Sequence, residues 1–96
     1  MFIVLLSYKC TLEEVDKHLE PHVVYLKEQY KKGNFIASGR RVPRTGGVIL
    51  SRMNTKSELN HVLEKDPFYI AKIADYEIIE FIPSMTAEGF DNLKEN

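Results

Sequence analysis

Two residues of this 96-residue chain, His22 and Asp66, have ionisable side chains that can exchange protons. Helical spacing predicts that both side chains are buried. His22 lies three residues after Leu19 and four before Leu26, so a continuous helix over residues 20–32 places its imidazole on the apolar stripe. A histidine there can act as a general acid or base near neutral pH. From periodicity alone, a core histidine whose ring nitrogens are satisfied by the backbone is the simpler interpretation.

Asp66 is the second candidate, because it continues the apolar spacing of Leu59, Val62 and Leu63. Its carboxylate is therefore predicted to point inward. Asp66 also precedes Pro67, and aspartate followed by proline is typical of the N-cap and first residue of a short helix. Capping is the simpler interpretation. It is compatible with a second role, in which one oxygen caps the helix and the other orients an imidazole.

A candidate substrate-binding segment is formed by Ser38, Gly39 and Arg40 in a predicted strand. A glycine inside a strand predicts a bulge or a close approach of a ligand to the backbone, and a serine can donate a hydrogen bond. Four arginines on or near this hairpin could bind a carboxylate or phosphate, or discourage aggregation at a sheet edge. The second interpretation is the simpler one for Arg44 and Arg52, and Arg40 stays open.

The other reactive side chains predict no further site. The single cysteine, Cys10, excludes an internal disulfide framework. Its position just before a predicted helix could lower the pKa of the thiol, but a lone cysteine is more often a small packing residue, which is the simpler interpretation. His18 and His61 fall off the apolar stripes, so the histidines lack ligand spacing and predict no metal site. No cofactor is expected. Hydroxyls that could reach a cleft are those of Tyr8, Tyr25 and Tyr69.

The elements that must position these residues follow the order β-α-β-β-α-β. Thr-x-x-Glu capping boxes at Thr11 and Thr55 predict the starts of two helices. Pro21 is expected to kink the first helix, or to split it into a short piece and a longer one, and Gly33 ends it. A short extra helix is predicted from Pro67. Strand patterns cover residues 2–8, 35–42, 48–53 and 76–82.

This order predicts a ferredoxin-like fold of the α+β class, with a four-stranded antiparallel sheet and helices on one face. Residues 1–83 are expected to form one domain, and residues 84–96 a polar tail or short helix. Apolar residues occur on both faces of at least three strands, so the face without helices would be an exposed apolar patch. We expect a homodimer packed through this sheet face. The alternative is that the tail folds back over it.

Composition narrows the function classes. The chain is 44% hydrophobic and 28% charged, which is ordinary for a globular domain. A net charge of -1 argues against a nucleic-acid partner, and no stretch approaches the roughly 18 apolar residues of a membrane span. Small secreted domains are usually cysteine-dense, so one cysteine favours a cytoplasmic protein. The expected partners are a small molecule and a second copy of the chain.

Four features in a fixed order resemble the YciI-like (YCII-related) family. Each motif is weak alone, whereas the ordered set is fairly specific, and the similarity covers about residues 1–83. The features are Pro21-His22-Val23-Val24-Tyr25-Leu26, the Gly-x(5)-Gly pattern from Gly33 to Gly39, Asp66-Pro67-Phe68, and a last strand ending at Phe81-Ile82-Pro83.

The resemblance implies a dimeric ferredoxin-like α+β barrel and an active site whose histidine and aspartate match His22 and Asp66. One characterised branch of the family is a dehydrochlorinase that acts on a chlorinated hydroxyquinol, and the fold is similar to that of muconolactone isomerase. These relatives imply cofactor-free proton transfer on a small oxygenated ring compound. Many members carry a proline after the second glycine, where this chain has Arg40, so their substrate preference is not implied.

Two function classes follow. In the first, a small enzyme uses His22 as acid and base, and Asp66 orients the imidazole and stabilises its protonated form. Ser38, the Gly39 backbone and Arg40 would hold an oxyanion during an isomerisation, elimination or lactone-type reaction. The alternative is a non-catalytic module that binds a small metabolite or dimerises for regulation. A purely structural role finds support only in the apolar sheet face, which dimerisation already explains.

Overall fold

Four strands and four helices make up the domain in the computed structural model, which describes residues 1–94. The strands are β1 (Phe2–Tyr8), β2 (Phe35–Arg40), β3 (Gly46–Ser51) and β4 (Ala74–Glu80). The helices are α1 (Leu12–Asp16), α2 (Leu19–Lys31), α3 (Lys56–Leu63) and α4 (Pro67–Ile70). The strands pair antiparallel in the order β2-β3-β1-β4. This confirms the predicted four-stranded antiparallel α+β fold.

The first helical region is split, which is one of the two outcomes expected from Pro21. The break falls between α1 and α2, and Pro21 lies in the first turn of α2, where its missing N–H costs no helical hydrogen bond. The split changes which residues of α2 face the core. His22, Tyr25 and Gln29 are buried, while Leu19 and Val23 are more than a third exposed. Leu19, predicted to share an apolar stripe with His22, is therefore much more exposed than His22 itself.

The core lies between the helices and one face of the sheet. Phe2, Val4 and Leu6 alternate along β1 and are at most 2% exposed. They form one apolar cluster with helical residues of all four helices, namely Val15, Tyr25, Leu59, Leu63 and Phe68. Burial of this cluster holds the helices on one face of the sheet, since each buried large apolar side chain contributes about 1.5–3 kcal/mol.

The opposite face of the sheet carries a row of apolar side chains. Ile3 on β1 pairs with Leu50 on β3 and with Ile79 on β4, so the three side chains stand side by side. Ile79 is 43% exposed. In the tail, Met85 and Phe90 are also exposed, so these side chains do not cover the row. The tail contains one 3-10 turn, over residues 91–93, and residues 95 and 96 lie outside the described range.

Five boundaries, in β2, β3 and β4, lie two residues earlier in the chain than predicted. The turn between β2 and β3 is shifted with them, and β4 begins at Ala74 because that residue pairs with Tyr8 at the end of β1. The end of a strand depends on the neighbouring strand with which it pairs, and the residue pattern of one strand alone does not indicate this partner. The irregularity in β2 lies between Phe35 and Ala37, so the prediction of a bulge at Gly39 was wrong.

Gly46 is required by the close approach of β3 to β1. A Cβ atom at this position would lie 1.7 Å from the carbonyl oxygen of Leu6, which is far inside van der Waals contact. Gly39 shows the opposite situation, since a Cβ there would meet nothing within 4 Å. The glycine that the fold needs in this hairpin is therefore Gly46. Among residues 1–94, no helix has both the length and the apolar character needed to cross a bilayer.

Candidate active site

The structure brings His22 and Asp66 together although 44 residues separate them in sequence. The Nδ1 atom of His22 lies 2.7 Å from Oδ1 of Asp66. His22 comes from the first turns of α2, and Asp66 is the N-cap of α4, with extended backbone angles. An ionised carboxylate only accepts hydrogen bonds, so beside an ionised Asp66 a neutral imidazole carries its proton on Nδ1 and its lone pair on Nε2. We call these two residues the His22–Asp66 pair.

Asp66 is fully buried and accepts from three donors. Oδ1 receives the His22 Nδ1–H and, at 3.0 Å, the backbone N–H of Phe68, while Oδ2 receives the Tyr76 hydroxyl at 2.6 Å. Three donors match the acceptor capacity of an ionised carboxylate and offset its loss of solvation. Asp66 therefore caps α4 and orients the His22 imidazole at the same time, two roles that the sequence analysis considered compatible. Both roles use Oδ1, however, whereas the sequence analysis assigned one oxygen to each.

The imidazole is held on a second side by an aromatic ring. The rings of His22 and Phe68 stack with centroids 3.8 Å apart and an angle of 3° between their planes. Since Phe68 belongs to α4, the helix that Asp66 caps, one short element supplies both the hydrogen bond and the stacking surface. This double restraint fixes the ring orientation of His22.

The Nε2 atom of His22 is accessible. Within residues 1–94 it has no hydrogen-bond partner, and no buried side-chain nitrogen or oxygen of those residues lacks one. Nε2 must therefore keep some accessible surface although the residue as a whole is only 8% exposed. A core histidine with both ring nitrogens satisfied does not describe this geometry.

His22 opens into a cleft of about 440 Å³ between α2 and the β2–β3 hairpin. Such a volume is within the range of small-molecule sites. Most of its wall is apolar, and the exposed residues of α2, Leu19 and Val23, contribute to it. Leu19 and Leu26, which the sequence spacing placed with His22 on one apolar stripe, therefore line the cleft together with it.

Ser38, Gly39 and Arg40 also line this cleft. Ser38 pairs with Ile49 of β3, and Arg40 pairs with Gly47. Because Ile49 and Gly47 pair in turn with the core residues of β1, Ser38 and Arg40 lie on the helix side of the sheet. The Ser38 hydroxyl forms a hydrogen bond with the Tyr30 hydroxyl. A side chain at Gly39 would point into open space, so its place in the cleft wall is given by its backbone.

The arginines of the hairpin differ in their partners. Arg44 lines the cleft but donates to Asp16 at 2.6 Å, a hydrogen bond that raises the pKa of the guanidinium above its ordinary value. Arg41 donates to Ser7 outside the cleft wall. In the part of the chain that the structure describes, the Arg40 guanidinium has no ion pair or hydrogen bond. Arg40 is therefore the cleft cation available to a ligand.

Three contributors to this site were missed by sequence reasoning. Tyr76 and Phe68 contact the His22–Asp66 pair, and Tyr30 contacts Ser38. For Tyr30 and Tyr76 the only signal was aromatic character in a helix or strand, which is equally typical of core residues. Phe68 was part of the Asp66-Pro67-Phe68 motif, but no contact with His22 was predicted for it. Of the three tyrosines singled out, Tyr8 lines the cleft, whereas the Tyr25 hydroxyl donates to the backbone carbonyl of Val62.

Burial raises the pKa of both tyrosine hydroxyls nearest to Asp66. For Tyr76 and for Tyr25, loss of solvation is the largest cause, and the negative charge of Asp66 adds to it. Both phenols therefore stay protonated through the neutral range and act as hydrogen-bond donors. Within residues 1–94, no cluster of three or more histidine, cysteine or acidic side chains has the arrangement of a metal site.

Comparison with protein families matches residues 1–82 to the YCII-related domain. A solved structure with similar fold is the 5-chloro-2-hydroxyhydroquinone dehydrochlorinase TftG from Burkholderia phenoliruptrix AC1100, in complex with 2,5-dihydroxybenzoquinone. It is 16% identical, with a TM-score of 0.71, and the alignment covers 86% of this chain and 95% of that chain. At this identity the likeness shows the fold alone. No curated protein matched the chain.

The family match extends from the first residue of the chain past the end of β4. It therefore includes every strand of the sheet, all four helices and both members of the His22–Asp66 pair. Since the match covers most of the sequence and agrees with the observed fold, the chain belongs to the family of YCII-related domains.

Proposed function

We propose that the protein is a small enzyme that uses the His22–Asp66 pair for acid/base chemistry on a small oxygenated ring compound. The observation that carries the proposal is the geometry of His22. Its Nδ1 is held by a buried carboxylate at 2.7 Å, while Nε2 is accessible from an apolar cleft. A packing histidine needs neither a buried anion nor an open nitrogen, whereas a general base needs the open nitrogen and is oriented and stabilised by the anion.

In this proposal, Nε2 of His22 takes a proton from the bound ring compound and returns it at another position or releases it. Asp66 stabilises the imidazolium that forms in between and keeps the ring in one tautomer. Arg40 and Ser38 bind the oxygen on which negative charge develops, with the Gly39 backbone beside them. Such a pair contributes about 10²- to 10⁴-fold as acid/base catalysis. Isomerisation, elimination and lactone-type reactions all fit this sequence of proton transfers.

The similar solved structure supports a ring compound as the substrate. That protein is a dehydrochlorinase acting on a hydroxyhydroquinone and was solved with a dihydroxybenzoquinone. Compounds of this kind are small, flat and rich in oxygen. The cleft here has matching properties, with an apolar wall, an unpaired arginine and an imidazole.

We expect 2,5-dihydroxybenzoquinone to bind in the cleft and to be detected by NMR through the ring signals of His22. The compound carries acidic oxygens that suit Arg40 and His22. Turnover is tested on 5-chloro-2-hydroxyhydroquinone by chloride release, because elimination of HCl liberates one chloride ion per substrate. Unsaturated lactones provide the test for isomerisation.

The control for this test is Arg41→Gln, which removes a hairpin arginine that lies outside the cleft wall. Its binding should match that of the wild type, whereas Arg40→Gln should bind more weakly. Binding without any turnover across these substrates would favour the non-catalytic binding module. Failure to bind any of these compounds would contradict the assignment of the substrate class.

A second copy of the chain is proposed to cover the outer sheet face. The row formed by Leu50, Ile3 and Ile79 runs across three strands, and a soluble domain rarely leaves so continuous an apolar strip in water. Packing two such faces together buries both rows and leaves each cleft on the outside of the dimer. The twofold arrangement needs only one self-complementary surface.

The dimer is tested by light scattering after size-exclusion chromatography. The wild type should have twice the mass of the chain, and Ile79→Lys should yield monomers because it places a charge in the contact. Val24→Lys is the matched control, since Val24 is a 62% exposed valine on α2, away from the sheet. A monomeric wild type, or an Ile79→Lys variant that stays dimeric, would contradict the proposed interface.

A further inference from the structure

We infer that Tyr76 is a positioning residue for His22 that acts through Asp66. Its hydroxyl holds the carboxylate in one orientation and takes up part of its charge, which keeps the Nδ1–H of the imidazole directed at Asp66 and favours the neutral form of the ring. This inference rests on the proposed function of the His22–Asp66 pair and adds a third member to it.

The geometry places Tyr76 opposite His22 across the carboxylate. The Tyr76 hydroxyl donates to Oδ2 at 2.6 Å, while His22 lies 2.7 Å from Oδ1. Tyr76 comes from β4, and its ring packs edge-on against Tyr69 of α4, with centroids 5.4 Å apart. The hydroxyl is thus fixed by the sheet, and it prevents the carboxylate from rotating about its own axis.

The hydrogen bond also has an electrostatic effect with a definite direction. A donor stabilises a carboxylate most when the carboxylate bears its full charge, and less when a neighbouring imidazolium already neutralises it. The Tyr76 hydroxyl therefore favours the state with a neutral imidazole over the state with an imidazolium. Without the Tyr76 hydroxyl, the His22–Asp66 pair is expected to take up a proton at higher pH. A smaller fraction of His22 would then be in the neutral form that can act as a base.

Other ionisable groups around His22 do not perform this role. Arg44 is paired with Asp16, and Arg40 faces the cleft from the hairpin. His18 lies one turn earlier on α2 and near Glu14, at 3.9 Å. The titratable and charged groups near the His22–Asp66 pair are Tyr8, His18, Tyr25, Arg40, Arg44, Tyr69 and Tyr76. Among residues 1–94, Tyr76 is the member of this set whose side chain forms a hydrogen bond with Asp66.

Tyr25 provides a matched control. It is also a buried tyrosine close to His22, with ring centroids 6.5 Å apart, and its hydroxyl makes a hydrogen bond of 2.7 Å. The acceptor of that bond is the Val62 carbonyl and not Asp66. Tyr25→Phe therefore removes a comparable buried hydroxyl without touching the carboxylate.

The experiment follows the ring C–H signals of His22 against pH in the substrate-free protein. In Tyr76→Phe we expect the titration midpoint of His22 to move to higher pH by about 0.5 to 1 unit, and in Tyr25→Phe to stay where it is. The acid limb of any pH–rate profile should move with it. An unchanged midpoint in a folded Tyr76→Phe protein, or an equal shift in both variants, would overturn the inference.

If Tyr76→Phe does not fold, the coupling between Tyr76 and His22 is measured in the wild-type protein. The Tyr76 hydroxyl proton should give a slowly exchanging, low-field signal that moves as His22 titrates, and a signal that ignores this titration overturns the inference. Because both measurements use no substrate, they remain separate from the proposed enzyme activity. Absence of turnover would contradict the proposed function but not the coupling between Tyr76 and His22. Absence of this coupling would overturn the inference about Tyr76 but not the proposed function of the His22–Asp66 pair.

Discussion

Replacement of His22 by glutamine should lower turnover by about 10²- to 10⁴-fold and leave the fold in place. Glutamine can still donate to Asp66 and pack against Phe68, but it has no basic nitrogen directed at the cleft. The measurement is the rate of the reaction found for the wild type, together with binding of 2,5-dihydroxybenzoquinone. Binding should persist, because the apolar wall and Arg40 are unchanged.

The matched control is His18→Gln, because His18 is the partly exposed N-cap of α2, four residues before His22. It should have wild-type activity, which separates loss of this imidazole from loss of any histidine in the helix. Turnover that survives His22→Gln would contradict the acid/base role. Unfolding of the variant would instead show that His22 acts mainly in packing.

Asp66→Asn should lower turnover at least about tenfold and move the titration midpoint of His22 to lower pH. The amide oxygen can replace Oδ1 and accept from both Phe68 and His22, while the amide nitrogen faces the Tyr76 hydroxyl, which can accept. The cap and the tautomer are therefore retained. What is lost is the negative charge that stabilises the imidazolium during proton transfer.

The two consequences of Asp66→Asn are measured by kinetics and by NMR titration of His22. Thermal unfolding serves as the control, because a retained cap predicts stability close to that of the wild type. Asp66→Ala removes the cap and all three accepted hydrogen bonds, so it should unfold far more easily. A His22 titration that is identical in the wild type and in Asp66→Asn would mean that Asp66 acts as a helix cap alone.

The order of strands and helices could be predicted from local pattern because each element carries its own signals. The Thr11 and Thr55 hydroxyls accept hydrogen bonds from the backbone N–H groups of Glu14 and Glu58, three residues later, and Gly33 follows α2 with a positive φ. Strand ends were predicted less well, since Ala74 joins β4 only through its pairing with Tyr8. Local signals specify elements, whereas boundaries depend on the neighbouring strand.

The candidate residues were also predicted from sequence, but their relationship was not. Helical spacing places His22 and Asp66 inward without saying that they meet, because 44 residues of chain between them can be arranged in many ways. The family resemblance supplied that link. No periodicity indicated Tyr76, since a tyrosine in a strand predicts burial and not the acceptor that its hydroxyl finds.

By itself, the sequence determined the element order, the helix starts and the inward direction of the His22 and Asp66 side chains. These follow from hydrophobic periodicity and from capping groups within a few residues of one another. Only the tertiary structure decided that Asp66 serves His22, Phe68 and Tyr76 at once, and that the stripe of Leu19 and Val23 lines a cleft. Such contacts join residues from α2, α4 and β4, and they exist only when those elements pack around one buried charge.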